Sequence, residues 1–127
     1  MDINIDNPVR LSINVIEFDE KVPSIKLLVD VLAEKFGCSV SVNTTCWVEC
    51  AVFDSFVGLL RSGQTALISD MSNDFSLVVD VERGKLAWSY GREDVNGNVV
   101  RAGGEDILAE GAQDQILLAF ENYPKWW

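Results

Sequence analysis

Carboxylates are the only abundant groups in this sequence that could perform acid–base chemistry. The chain has 20 Asp and Glu residues against 10 Lys and Arg, and it has no histidine. Without histidine there is no Ser-His-Asp or Cys-His catalytic pair and no imidazole ligand for zinc. Adjacent acids such as Glu93-Asp94 could hydrolyse a glycoside only if a cleft held two carboxyl groups about 5 to 10 Å apart. Most acids fall in predicted turns, which favours a solvated surface, so we expect neither an enzyme nor a cofactor.

The remaining polar groups do not form a metal or phosphate motif. Cys38, Cys46 and Cys50 are odd in number and contain no CxxC pair, which is typical of reduced, buried thiols. The segment 70–74 lacks the glycine and the terminal glutamate of an EF-hand loop. Gly103-Gly104 has neither the lysine nor the glycine spacing of a phosphate-binding loop, and we interpret it as a flexible turn. We therefore predict that no metal is bound.

Length and charge limit the classes of function. The 127 residues suffice for one domain with its own core, so we predict a single domain over residues 1–127. A formal net charge of −10 disfavours direct binding to nucleic acid or to an anionic membrane, because each phosphate contact would oppose the overall field. The N-terminal segment lacks the basic and apolar regions of an export signal. We expect a cytoplasmic protein that is a monomer or a weak dimer when free.

Alternating apolar residues predict strands in the first third of the chain. Residues Val9–Phe18 alternate as a strand, and so do Phe36–Val42. Between them, Ile25–Ala33 fits a strand but also fits an amphipathic helix, and the pattern leaves both open. We favour the strand, because a tight turn near Glu34-Lys35 would then make a hairpin.

A helix, several short strands and a second helix are predicted next. Thr44 or Thr45 would cap the first helix, Glu49 would complete a capping box, and Ser62-Gly63 would end it. The later elements are predicted at Thr65–Ser69, Phe75–Val81, Lys85–Tyr90, Gly97–Arg101 and, as a helix, Ala112–Tyr123. The sequence shows no convincing internal repeat. The predicted class is α+β, with a mainly antiparallel sheet of about six strands and two principal helices packed on it.

The distribution of acids indicates a candidate binding surface. Between Glu93 and Glu121 seven acids stand against one base, Arg101, and a second acidic cluster precedes them. If the fold brings these residues to one side, the acidic face would steer a basic partner to rapid encounter, although solubility alone explains the same charges. Tryptophans in the tail would add anchors unless the tail folds back onto the domain. The candidate contact residues are Asp70, Asp74, Glu93, Asp94, Glu105, Asp106, Glu110, Trp126 and Trp127.

The middle of the chain resembles a family of small bacterial inhibitors. Leu28-Val29-Asp30-Val31 leads into Phe36-Gly37-Cys38-Ser39-Val40, and a helix with spaced Phe and Leu residues, Phe53–Leu60, follows. Over residues 25–120 this order resembles the acidic immunity proteins of polymorphic toxin systems, including the WapI-like group and those of contact-dependent growth inhibition. The resemblance implies a cytoplasmic antitoxin that binds the C-terminal domain of one cognate toxin. It implies no particular contact residue, because such proteins bind their toxins through different surfaces.

Two functions are weighed on this basis. The resemblance implies a toxin inhibitor, and an acidic inhibitor suits a nuclease toxin whose nucleic-acid-binding surface is basic. The alternative is an acidic secretion chaperone for an effector protein, which is also small and cytoplasmic. Such chaperones open with a helix and dimerise, whereas this chain is predicted to open with a strand. The inhibitor is therefore the preferred hypothesis.

Overall fold

The computed structural model describes residues 2–127 and contains two antiparallel sheets and two helices within them. The first sheet contains β1 (Ile3–Ile5), β2 (Arg10–Asp19), β3 (Ser24–Lys35) and β4 (Cys38–Glu49), followed by α1 (Cys50–Arg61). The second sheet contains β5 (Ala66–Ser69), β6 (Phe75–Asp80), β7 (Lys85–Glu93) and β8 (Val99–Ile107), followed by α2 (Ala112–Glu121). In each sheet, every strand pairs with the next strand along the chain.

The α+β class, the antiparallel pairing and the two helices are confirmed, but the strands are divided differently. Residues 2–127 form eight strands in two sheets rather than about six in one. β1 was missed because its three residues are too few to show an alternating pattern. Each half has the order of four paired strands and then a helix, so the elements repeat although the sequences do not.

The ambiguous segment Ile25–Ala33 is a strand. It forms most of β3, which pairs along its length with both β2 and β4. Alternate side chains, among them Ile25 and Val29, are fully buried, as expected for a central strand. The hairpin turn lies two residues later than predicted, at Phe36-Gly37, and both residues have positive φ angles. This backbone is typical of a two-residue hairpin turn.

The first helix begins later than the capping pattern predicts. Thr44 and Thr45 pair with Val29 and Leu28 of β3, so both lie within β4 and the predicted cap is wrong. Capping is a local preference, and here it is outweighed by cross-strand pairing, for which threonine is well suited. Glu49 occupies the N-cap position of α1, and its side chain makes no capping hydrogen bond.

The glycine pair Gly103-Gly104 lies inside β8 rather than in a flexible turn. Both residues pair with β7, Gly103 with Ser89 and Gly104 with Trp88. A Cβ atom on Gly104 would lie 2.7 Å from Nε1 of the buried Trp88 indole. The glycine at 104 therefore provides room for a tryptophan ring, which is a packing requirement that the local sequence does not reveal.

A single hydrophobic cluster joins both sheets and both helices. It includes Ile13 and Val29 from the first sheet, Leu77 from the second, and Phe56 and Ile116 from the helices. α1 contacts β4, β5 and α2, and α2 also contacts β1, so the helices connect the two sheets. Over residues 2–127, neither helix is long and apolar enough to cross a membrane.

Candidate functional site

One end of the molecule brings four acidic segments together. They are the β2–β3 turn, the β4–α1 junction, the β5–β6 turn and the β7–β8 turn. Three backbone hydrogen bonds connect them: Cys50 N–H to Pro23 O at 2.9 Å, Met71 N–H to Trp47 O at 2.8 Å, and Gly91 N–H to Asp74 O at 2.8 Å. We call this region the acidic end. Its carboxylates are those of Asp19, Glu20, Glu49, Asp70, Asp74, Glu93 and Asp94.

The acidic end has more negative charge than its bases can balance. Lys21 and Arg92 lie on the same segments, and among residues 2–127 neither they nor the seven carboxylates form a salt bridge. Burial, together with the negative charges of Asp70 and Asp74, raises the pKa of the Cys46 thiol to about 12. The carboxylates thus act on a neighbouring ionisable group, and they would also attract an approaching cation.

Asp70 has a structural role in the β5–β6 turn. Its side chain is 5% exposed, and Oδ1 accepts the N–H groups of Asp74 at 2.8 Å and Phe75 at 2.9 Å. A carboxylate that is buried and bonded in this way has little surface to offer a partner. The prediction that Asp70 is a contact residue therefore needs correction: it holds the segment that carries Asp74.

Asp94 also holds a turn, but its carboxylate stays at the surface. Oδ1 accepts the N–H groups of Asn96 and Asn98, and Oδ2 accepts the side-chain amide of Asn98, each at 2.9 Å. These bonds, that of the Asn98 side chain foremost, lower the pKa of Asp94 below its ordinary value. The charge is therefore kept in a defined position beside the exposed Glu93.

The remaining predicted acids lie away from the acidic end. β8 has nine residues and runs away from the β7–β8 turn, so its last residues are about 25 Å from its first. Asp106 is 6% exposed and pairs with Lys35 of the β3–β4 hairpin, and Glu105 pairs with Lys85 at 2.7 Å. Glu110 follows on the loop before α2. The structure thus does not assemble the expected single face, because antiparallel strands carry neighbouring sequence clusters to opposite ends.

The two tail tryptophans differ in their surroundings. Trp127 packs edge-on against Phe53 with ring centroids 5.4 Å apart, and it lies 6.2 Å from Tyr123. Trp126 is 54% exposed and touches Trp127 edge-on. The tail therefore folds back onto α1, where Lys125 also binds Asp54 at 3.0 Å. Of the two tail tryptophans, Trp126 is the one that presents a large apolar surface to solvent.

Sequence reasoning missed several members of the acidic end. Glu20 and Glu49 are exposed there, and so are the apolar side chains of Val22 and Met71, at 51% and 49%. The two acids lie far from the acid-rich stretch of the sequence, so only folding brings them to it. An apolar residue within a turn of acidic and polar residues is the signal that could have identified Val22 and Met71.

The three cysteines are expected to differ sharply in reactivity. Cys38 is exposed, whereas Cys46 is buried with a pKa of about 12, and burial also raises the pKa of Cys50. Because the thiolate is the nucleophile, a disulfide reagent at pH about 8 should modify Cys38 first and Cys46 only after unfolding. Peptide mapping of the labelled protein checks the order, and Cys38→Ser should remove the fast phase. Rapid labelling of Cys46 in the native protein would contradict the expectation.

The acidic end offers negative charge and exposed apolar side chains. Within the described residues, no group of three or more Cys, Asp or Glu side chains is placed to hold a metal ion. A fixed set of carboxylates with two apolar neighbours is chemically suited to a basic protein surface. No family model, curated protein or solved structure matches this chain.

Proposed function

We propose that this chain is a cytoplasmic immunity protein that binds and neutralises a basic bacterial toxin domain through the acidic end. The supporting observation is the convergence of seven carboxylates and only two bases on four segments joined by backbone hydrogen bonds. A surface that is already ordered loses little conformational entropy when it binds, and its field speeds encounter with a basic partner. The resemblance of residues 25–120 to immunity proteins supports the same function.

Inhibition by this surface would need occlusion and no chemistry. A nuclease toxin binds the phosphates of its substrate with Lys and Arg side chains. Exposed carboxylates such as Glu20, Glu49 and Glu93 would pair with those cations, and the exposed Met71 side chain would add apolar contact. The nucleic acid is then excluded because the inhibitor fills its binding surface.

Reversing charge at the acidic end should abolish capture of the toxin. The variant Glu20→Lys/Glu93→Lys changes two exposed side chains that form no salt bridge within residues 2–127. The control Glu34→Lys/Glu82→Lys makes the same charge change at the opposite end, near the end of β3 and on the β6–β7 turn. Each tagged protein is used for a pull-down from its native host at low salt, because screening weakens steering. The first variant should recover at least about tenfold less of the toxin domain than the unsubstituted chain, because slower association lowers capture, and the control should recover as much.

The outcomes separate the candidate functions. Stoichiometric recovery of the C-terminal domain of a large secreted protein, lost with the first variant and kept with the control, supports the proposal. The recovered domain should also lose its toxic activity when the purified chain is added in equal amount. Equal recovery with both variants would exclude the acidic end as the interface. Capture of an intact effector through an unfolded N-terminal segment would indicate the chaperone instead.

A further inference from the structure

We infer that a second copy of this chain docks on the open edge of β8, so that two β8 strands pair antiparallel across a twofold axis. β8 is the last strand of its sheet and pairs with β7. Among residues 2–127, no other element forms a backbone hydrogen bond with Val99–Ile107. A nine-residue edge of unpaired N–H and C=O groups is a template for another strand. This inference is independent of the proposed inhibitor function.

The register of β7 and β8 shows which backbone groups point to the open edge. Asp94 N–H donates to Asn98 O at 2.9 Å, and Leu108 N–H donates to Gly84 O at 2.8 Å. These two pairs continue the β7–β8 register beyond both ends of the ladder. Hydrogen-bonded and non-hydrogen-bonded pairs alternate in an antiparallel ladder, so the even-numbered residues of β8 bond to β7. The odd-numbered residues therefore direct their N–H and C=O groups outward.

The same odd-numbered residues form a self-complementary pattern. They share one sheet face and are all exposed: Val99, Arg101, Gly103, Glu105 and Ile107. With the twofold axis at Gly103, Val99 lies opposite Ile107 of the second copy, and Arg101 lies opposite its Glu105. On both sides of the axis, an apolar side chain therefore lies opposite an apolar one, and a positive side chain lies opposite a negative one. About ten backbone hydrogen bonds would form in this register, because each of the five outward-facing pairs exchanges two.

The neighbouring registers lose this match. A shift of two residues in one direction places Arg101 opposite Gly103 and Val99 opposite Glu105. A shift in the other direction places Arg101 opposite Ile107 and Glu105 opposite Gly103. Both shifts separate the opposite charges and place a charge against an apolar side chain, so they are disfavoured. The sequence of β8 thus selects one pairing, and the product is an eight-stranded sheet that crosses the interface.

Charge variants at Arg101 test the pairing in the purified protein. Sedimentation velocity from about 1 µM to about 1 mM should show a reversible monomer–dimer equilibrium. Arg101→Glu places like charges opposite each other twice and should raise the dissociation constant at least about tenfold. Arg101→Glu/Glu105→Arg restores opposite charges across the axis and should recover the dimer in part, because the exchange also breaks the Glu105–Lys85 salt bridge. Arg92→Glu makes the same change in net charge on the neighbouring strand β7 and should leave the dimer unchanged.

A second measurement locates the interface without any substitution. Amide hydrogen exchange by NMR should slow with protein concentration at residues 99, 101, 103, 105 and 107, whereas the even-numbered amides of β8 should be protected at every concentration. Ile107→Lys, at a site 78% exposed, should abolish the concentration dependence without unfolding the chain. A monomer over the whole range, equal effects of Arg101→Glu and Arg92→Glu, or new protection on another element would overturn the inference.

Discussion

Replacing Phe56 by alanine is expected to lower the free energy of unfolding by about 4 kcal/mol. Phe56 has no exposed surface, and its ring packs edge-on against Phe120 with centroids 5.0 Å apart. It lies on α1, which contacts β4, β5 and α2. Because β4 and β5 are held by pairing with their neighbouring strands, they cannot collapse into the cavity that the lost ring would leave. Urea denaturation followed by tryptophan fluorescence measures the change.

Phe36 provides the matched control for this substitution. Its side chain is 102% exposed, and its φ angle is +57°, a conformation that asparagine tolerates better than phenylalanine. Phe36→Ala should therefore change the free energy of unfolding little, and Phe36→Asn should raise it slightly. If Phe36→Ala and Phe56→Ala had equal effects, the assignment of Phe56 to the centre of the core would be wrong.

Asp70→Ala should lower the free energy of unfolding by about 3 kcal/mol. The substitution removes one buried carboxylate oxygen that accepts two backbone N–H groups, those of Asp74 and Phe75. Each hydrogen bond to a charged group contributes about 1.5 to 3 kcal/mol, and the donors would be left without a partner. Relief of repulsion with the nearby Asp74 carboxylate offsets part of this loss. Chemical denaturation gives the stability, and amide exchange at residues 74 and 75 reports the turn directly.

Two companion variants separate the hydrogen bonds from the charge. Asp70→Asn keeps a side-chain oxygen as acceptor and removes the charge, so it should lower the free energy of unfolding by about 1 kcal/mol. Asp74→Ala removes a carboxylate that is half-buried and makes no side-chain hydrogen bond within residues 2–127, so stability should be nearly unchanged. A loss of stability at Asp74→Ala as large as that at Asp70→Ala would contradict the assignment of the stabilisation to the two N–H bonds that Asp70 accepts.

The outcome for Asp70 also bears on the proposed inhibitor. If Asp70 acts only through the β5–β6 turn, Asp70→Asn should retain binding to the captured toxin domain, because the exposed acids stay in place. Substitution of Glu20 and Glu93 by lysine, by contrast, should weaken binding to the toxin domain without changing the free energy of unfolding. Variants at Glu20 and Glu93 thus test the position of the interface, and variants at Asp70 test the stability of the β5–β6 turn.

The elements with regular alternation could be predicted from the sequence. Val9–Phe18, Phe75–Val81 and Lys85–Tyr90 correspond closely to β2, β6 and β7, and Ala112–Tyr123 corresponds to α2. Their periodicity is a local property, since each residue type reflects the side of the element on which it lies. Other assignments depend on contacts with distant residues. Pairing with β3 keeps Thr44 in β4 instead of at a helix cap, and the Trp88 ring requires a glycine at position 104 inside β8.

The candidate site was predicted in part. Asp70, Asp74, Glu93 and Asp94 all belong to the acidic end, although Asp70 is buried there. Asp106 is also buried, and it lies with Glu105 at the far end of β8. The density of acids along the chain does not predict which carboxylates lie together in the fold, because the two ends of a strand are separated by its full length. Glu20 and Glu49 reach the acidic end through contacts between turns that are distant in sequence.

The amino-acid sequence is enough to predict the α+β class, the antiparallel pairing, the excess of negative charge and the absence of histidine chemistry. These follow from composition and from patterns that extend over a few residues. Tertiary structure alone decided that the strands form two sheets, which carboxylates meet, and which of them are buried. Those properties depend on contacts between residues distant in sequence, such as Met71 with Trp47 and Lys35 with Asp106, and no local pattern encodes them.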